Sequence, residues 1–313
     1  MMQLHRKRNM TAILTLPHFQ DADKAREYLE AQVWPNGRIC PHCGAIGDHY
    51  TLKGKTNRSG LYKCAECREP FTVTVGTVFE RSKVGLHIWM QAVHLMSASK
   101  KGISAKQIER MLGVSYKTAW FMCHRLREAM NIAPEGQLGN DGGPVEVDET
   151  YRGNVGKQAP GARGGDHKMK VLSLVERDGT KRSFHATNVN AATLRPIMKA
   201  QISAKARLMT DDARVYPAIG TAFASHESVN HSAKEYARGD VTTNSVELSF
   251  AILKRGLYGT FHSVSEQHLQ RYCTEFDFKW NTRITLGFND TDRTNAALRG
   301  IVGKRLTYRR IDA

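Results

Sequence analysis

The spacing of apolar residues along the chain changes period several times, and each change marks an element. DADKAREYLEAQVW, residues 21–34, repeats at three and four and predicts a short amphipathic helix within an N-terminal segment, 1–35. GDHYTLKGKTNRSGLYKC (47–64) predicts a hairpin with a basic turn, and FTVTVGTVF (71–79) alternates like a strand. Helical spacing then runs over 84–130. A helix with Ile88, Trp89 and Val93 leads to SAKQIERMLG, where Ser104 and Gln107 fit a capping box, and after a short turn to SYKTAWFMCHRLREAM. NIAPEGQLGNDGGP (131–144) has no period and is rich in Gly, Pro and Asn, so it is expected to be a linker.

Beyond it the pattern turns to strands over a domain expected at 145–295. PVEVDETYRG, KMKVLSLVER and KRSFHATNV predict an antiparallel meander. NAATLRPIMKAQI follows as a helix, KARLMTDDARVY as a strand ending in acids, HESVNHS as a short strand, and SEQHLQRYCTEFDFKWN as a late helix. Three strands, helix, strand, helix, short strand, helix is the order of an RNase H-like α/β domain with a mixed five-stranded sheet. In TNSVELSFAILKRG (243–256), Val246, Phe250, Leu253 and Leu257 form one apolar stripe, while Asn244, Glu247 and Lys254 fall within an arc of about 80° elsewhere on the helix. The Gly-rich basic stretch RGNVGKQAPGARGGDHK is expected to be a loop able to touch phosphates, and 296–313 a basic tail.

Charge and cysteine usage narrow the function. Forty-six Lys and Arg against 30 Asp and Glu give a formal charge of +16, which attracts polyanions, nucleic acid first and an anionic membrane surface second. No apolar run is long enough to span a bilayer and the N-terminus lacks a signal peptide, so a cytoplasmic protein associated with the nucleoid through DNA is expected. Four of the six cysteines form CPHC (Cys40, Cys43) and CAEC (Cys64, Cys67) within 36–80, the spacing of a Cys₄ zinc ribbon rather than of a disulfide network in a reducing compartment. Cys123 and Cys273 stand alone as buried small residues, and Trp89, Trp120 and Trp280 as core residues. The pair of helices in 84–130 predicts a helix-turn-helix, with Tyr116, Lys117 and Thr118 toward base edges and Arg125 and Arg127 for phosphates. An ordinary helical hairpin with a basic face is the alternative.

Three acids stand out against this basic background. Asp148 alternates with Val145 and Val147, Asp211 ends a strand, and Glu247 lies on the late helix. Singly each reads as a surface or turn residue; together, in the RNase H-like order, they converge. Three carboxylates need a cation, and hard oxygen ligands suit Mg²⁺ or Mn²⁺. Two such ions about 4 Å apart activate a water or 3′-hydroxyl and stabilise the leaving oxygen of a phosphodiester. Asp212 is expected to cap the following helix.

CPHCG, LYKCAECREPFTVTVGTVFERSK, SASKKGIS, SYKTAWFMCHRLREAM, VEVDETYRG, LMTDDARVY, VNHS, TNSVELSFAILKRGLYGTFH and YCTEFDFKWNTR occur in that order from about residue 18 to about 290. This set resembles the zinc-ribbon group of bacterial insertion-sequence transposases of the DDE type. The resemblance implies a divalent-metal site, cleavage at element ends and strand transfer, with Asp148 and Asp211 as the two aspartates. For the third position it offers Asn244 or Glu247, followed by the basic Lys254; Glu247 is preferred because a carboxylate binds Mg²⁺ more strongly than an amide. His231 and His262 match positions bordering the site or serve as structural hydrogen-bonders. Terminal inverted repeats and target DNA are the implied partners, bound by a homodimer or larger assembly. A DNA-binding regulator, a decayed transposase, and an RNase H-like nuclease are the competing readings.

Overall fold

The computed structural model describes residues 12–307 apart from 48, 55–56, 133, 154–164 and 166. Two compact units divide the chain. The first takes the residues up to Ala98 with Ala105–Ala129 and those from Asp290 on; the second takes Ser99–Ser104 with Met130–Asn289.

In the first unit, α1 (Pro17–Gln20) precedes α2 (Ala22–Val33), whose N-terminus is capped by the Asp21 carboxylate accepting from Lys24 N at 2.8 Å. The short strands β1 (Tyr50–Thr51), β2 (Tyr62–Lys63) and β3 (Pro70–Phe71) make an antiparallel ribbon. Cys40, Tyr62, Cys64 and Phe71 are its buried core, with Trp34 packed against them. The strand expected over 71–79 ends at Phe71. The chain instead winds through turns that bury Val73, Val78 and Phe79, with Gly76 at φ +72 and Thr77 Oγ1 donating to Thr74 O at 2.8 Å. Turns satisfy the backbone there because threonine hydroxyls replace ladder partners. Helices α3 (Leu86–Ala98), α4 (Ala105–Leu112) and α5 (Tyr116–Ala129) follow, α5 capped by Ser115 Oγ accepting from Thr118 N. Residues 290–299 form a further helix of this unit, and Leu298 and Ile301 are fully buried, so the start of the expected basic tail is packed into the unit.

The second unit carries β4 (Pro144–Arg152), β5 (Met169–Glu176), β6 (Lys181–Ala186), α6 (Ala191–Gln201), β7 (Arg207–Asp211), α7 (Tyr216–Gly220) and β8 (Ser225–Val229). A small hairpin, β9 (Ala237–Arg238) with β10 (Val241–Thr242), leads to α8 (Asn244–Gly256) and α9 (Glu266–Asn281). The sheet order is β6-β5-β4-β7-β8, with β4 antiparallel to β5 and parallel to β7, which is the expected mixed five-stranded RNase H-like sheet. Alternation along each strand feeds two cores. Val145, Val147, Leu172, Leu174 and Leu208 pack with α6 and α7 on one face. Met169, Val171 and Val175 pack on the other with Val246, Phe250, Leu253 and Leu257, the apolar stripe read from the sequence, and with Cys273 and Phe276 of α9.

The stretch 131–144 is not a free linker. Leu138 is buried, its N–H donates to Gln201 O and its carbonyl accepts from Ser203 N, both at 2.9 Å. Gly139, at φ +66, permits this: a Cβ there would stand 2.5 Å from that of Ala206. Most of the basic insertion after β4 lies outside the described residues.

Candidate active site

The parallel ladder between β4 and β7 pairs Val145 with Leu208 and Glu146 with Met209. The paired residues end there, and Asp148 and Asp211 lie two residues further along their neighbouring strands. Asp148 faces away from Val145 and Val147, as alternation requires, and its Oδ1 accepts from Glu149 N at 2.7 Å. Asp211 accepts from Ala213 N at 3.1 Å and so organises the turn that follows it. Asp212 is exposed and caps nothing: the next helix starts at Tyr216, with Val215 at its N-cap and no side-chain cap, because the turn held by Asp211 intervenes.

Glu247 is half-exposed in the first turn of α8, its Oε1 accepting from Thr243 Oγ1 at 2.8 Å and lying 3.5 Å from His231 Nε2. His231 therefore borders this group. His262 does not meet it in any recorded contact; it lies exposed past the π-helical turn Leu257–Phe261, at φ +60. Asn244 is exposed at the first position of α8, one turn before Glu247, and Lys254 lies two turns after it.

Two residues that the sequence reading missed hold this helix in place. Glu146, fully buried, accepts from Ser245 N at 2.7 Å and Val246 N at 3.1 Å, satisfying N–H groups that a helix start leaves unpaired. Its other oxygen takes the Arg177 guanidinium at 2.9 Å. Arg152, on the same face of β4, donates to Leu257 O at 2.9 Å and His262 O at 3.2 Å. One strand thus grips both ends of α8 with Asp148 between the grips. A buried Glu one pleat before a strand-borne Asp, in VEVD, was the available signal.

Burial pushes the Asp148 carboxyl up to about 7, and the charges of Glu149, Asp211 and Glu247 push the same way. Burial also raises Asp211, with Ala213 N–H opposing and Asp212 and Glu247 adding to it. Glu149 is raised by burial while its oxygen accepts from Tyr216 OH. Glu247 thus acts on both aspartates, and a group of hard oxygen donors whose charges resist one another fits a divalent cation. The carboxylates do not meet as tightly as the thiols: among the described residues, Cys40, Cys43, Cys64 and Cys67 alone bring ligand atoms all within 4.8 Å.

Those four thiols have the geometry of zinc. Cys40 Sγ lies 3.7 Å from Cys67 Sγ, and Cys43 Sγ lies 3.6 Å from Cys64 Sγ. A tetrahedron with Zn–S near 2.3 Å requires S···S of about 3.8 Å. Each knuckle closes with a left-handed residue, Gly44 at φ +79 and Arg68 at φ +62. Cys123 and Cys273 are buried, as expected, and Trp89 is a core residue, whereas Trp120 and Trp280 are only partly covered.

The helix-turn-helix residues divide. Tyr116 and Lys117 are exposed at the start of α5, with Lys106 Nζ 4.6 Å from the Tyr116 ring, and Thr118 is partly exposed beside Ser115. Arg125 and Arg127 are buried. The Arg125 guanidinium donates to Val78 O, Glu80 O and Leu306 O, so it ties the unit together instead of facing a phosphate. Charge alone placed both arginines on the surface; the carbonyls of an irregular segment claimed Arg125.

Residues 141–281 match the ISXO2-like transposase domain and residues 20–69 the transposase zinc-ribbon domain. An uncharacterized protein in transposable element ISH50 of Halobacterium salinarum is 29% identical over 285 residues, covering 85% of this chain and 93% of that one. No solved structure matches. No helix among the described residues is long and apolar enough to cross a membrane.

Proposed function

Because the chain belongs to the insertion-sequence transposases with an N-terminal zinc ribbon, we propose that it cuts DNA at the ends of its element and joins those ends to a target. The observation that supports this reading is the parallel β4–β7 pairing, which ends at Glu146 and Met209, two residues before Asp148 and Asp211 on their strands, with the charge of Glu247 raising both aspartates.

In this reading Asp148, Asp211 and Glu247 hold Mg²⁺ or Mn²⁺. Bound there, the cation would activate a water or 3′-hydroxyl and stabilise the leaving oxygen. Without metal the Asp148 carboxyl is raised to about 7, chiefly by burial, so cation binding there would release a proton. Thr243 and His231 orient the Glu247 carboxylate from its flank. Asn244, one turn earlier, offers an amide to the same ion or to a phosphate. Lys254 contacts a phosphate of the bound strand. The ribbon, holding structural zinc, and the N-terminal end of α5, through Tyr116, Lys117 and Thr118, read the terminal inverted repeats. Joining two ends in one event calls for at least a dimer on DNA. The site of action is the cytoplasm, at the nucleoid.

Purified protein with Mg²⁺ or Mn²⁺ and the DNA flanking its gene tests this directly. Cleaved ends and joined products are expected. Cleavage without joining would identify a nuclease, and specific binding without cutting a regulator.

A further inference from the structure

Of the residues at the C-terminal end of α8, the site above uses Lys254 alone, yet that end forms a shaped cationic surface. Lys101, Lys254, Arg255, Tyr258, Gly259 and Thr260 line an open groove of about 570 Å³. Lys101, Arg255 and Tyr258 are exposed, and among the described residues none of the three cations takes part in an ion pair. Like charges gathered without counterions are costly, so their juxtaposition needs a reason.

Two glycines create it. A Cβ on Gly256 would stand 2.8 Å from Lys101 O and 2.2 Å from Phe276 Cζ, so only glycine lets the segment Ser99–Ser104 close onto the end of α8. Gly102 adopts φ +86 with Phe261 Cζ 2.4 Å from where its Cβ would be. Together they bring the Lys101 backbone against α8 and its side chain into the same groove as Lys254 and Arg255. Tyr258 is also fixed. The buried Arg152, held by Leu257 O and His262 O, lies 5.0 Å from the ring centre, while the ring stays 54% exposed. A rigid aromatic beside unpaired cations is the equipment of a strand-binding surface: phosphates take the charges and a base stacks on the ring.

We propose that this groove holds the DNA strand bearing the bond to be cut, with phosphates on Lys254, Arg255 and Lys101 and a base against Tyr258. The inference rests on the transposase reading and names where its substrate strand runs. Seven residues of helix separate Glu247 from Lys254, about 10 Å along the axis. At about 3.4 Å per nucleotide of one strand, the gripped phosphates lie roughly two to four nucleotides from the cleaved bond.

The test compares the full-length protein with Lys101→Ala/Arg255→Ala and with Tyr258→Ala and Tyr258→Phe, by fluorescence anisotropy on duplexes carrying the element end. All these side chains are exposed, so melting temperature and zinc content should not change. The double variant should bind about tenfold more weakly, with a log–log salt slope lower by about two. Neutral methylphosphonates placed two to four nucleotides from the cleaved bond should weaken the wild type markedly and the double variant less, since only Lys254 remains there to grip a phosphate. Tyr258→Phe should behave as wild type and Tyr258→Ala should not. An unchanged salt slope, or equal sensitivity to neutral linkages, overturns the groove while wild-type cutting leaves the function standing. Failure of the wild type to bind any flank overturns the function and the groove with it.

Discussion

The ribbon and the five-stranded sheet would each gather side chains for a metal, but by opposite routes. Four sulfurs converge within 4.8 Å, whereas the carboxylates are not gathered so tightly, and Asp148 is pushed up to about 7 chiefly by burial, with Glu149, Asp211 and Glu247 adding to it. The ribbon's ligands come in two short knuckles whose local turns fix the geometry, with Cys40 and Cys64 buried in its small core. Such a site is closed and serves folding. The acids come from two strands and a distant helix, so a site built from them would depend on the sheet and on Glu146 and Arg152 holding α8. That site stays open at Glu247, as a substrate site must.

The largest effect should separate the two outright. Changing Cys40 and Cys64 to Ser, or chelating zinc, should remove most of the ribbon's folding free energy, on the order of 10 kcal/mol. Zinc content and protection from protease over 36–71 measure it, and undiminished zinc would defeat the assignment. Asp148→Asn or Asp211→Asn should instead spare the fold and DNA binding while lowering cleavage by about 10³-fold or more. If DNA binding were lost as well, the aspartates would be structural.

A smaller effect tests the grip on α8. Glu146→Ala leaves Ser245 N, Val246 N and the Arg177 guanidinium without their acceptor, at a cost of about 2–4 kcal/mol. Denaturant unfolding should show that loss, with hydrogen exchange quickened first at the start of α8; an unaltered exchange pattern would mean another group holds the helix.

Asp148 also gives a pH signature. Because its folded pKa is raised, the native state binds the extra proton, and the contribution of Asp148 to stability falls as pH rises from about 4 to about 7. The penalty is absent below that window and complete above it. Without divalent metal, Asp148→Asn should therefore melt higher than wild type at pH 8 and equally at pH 4, by about 2–4 kcal/mol at most. A parallel pair of melting curves at both pH values would contradict the burial of a charged Asp148. Smallest of all, Lys117→Ala should lower the salt slope of DNA binding by about one, and Arg127→Ala should act on stability instead. A slope change for Arg127→Ala would return that residue to the interface.

Whatever depended on short-range pattern was legible in the sequence. The CxxC knuckles, the strands around Asp148 and Asp211, and the stripe Val246, Phe250, Leu253 and Leu257 follow from spacing, because period and ligand count are local properties. The misreadings came where tertiary partners override pattern. Alternation over 71–79 looked like a strand, but buried turns with threonine hydroxyls satisfied the same residues. Arg125 looked like a phosphate ligand until carbonyls from two distant segments claimed it. Residues 131–144 looked like a linker because Gly139 hides how closely Leu138 and its neighbours pack. Glu146 had only the faint signal of VEVD for a related reason: a buried carboxylate is recognised by its partners, and the N–H groups it caps lie a hundred residues away on α8.

The central claim is that Asp148, Asp211 and Glu247 form one divalent-metal site distinct from the zinc ribbon. The most direct measurement is a Mn²⁺ titration of the zinc-loaded protein at pH 8, followed by electron paramagnetic resonance, for wild type, Asp148→Asn, Asp211→Asn and Glu247→Gln, with Asn244→Ala as comparison. Mn²⁺ binding should weaken at least about tenfold in each of the first three, and less in Asn244→Ala, with zinc unchanged throughout. Mn²⁺ affinity that is the same in Asp148→Asn and wild type would contradict the claim.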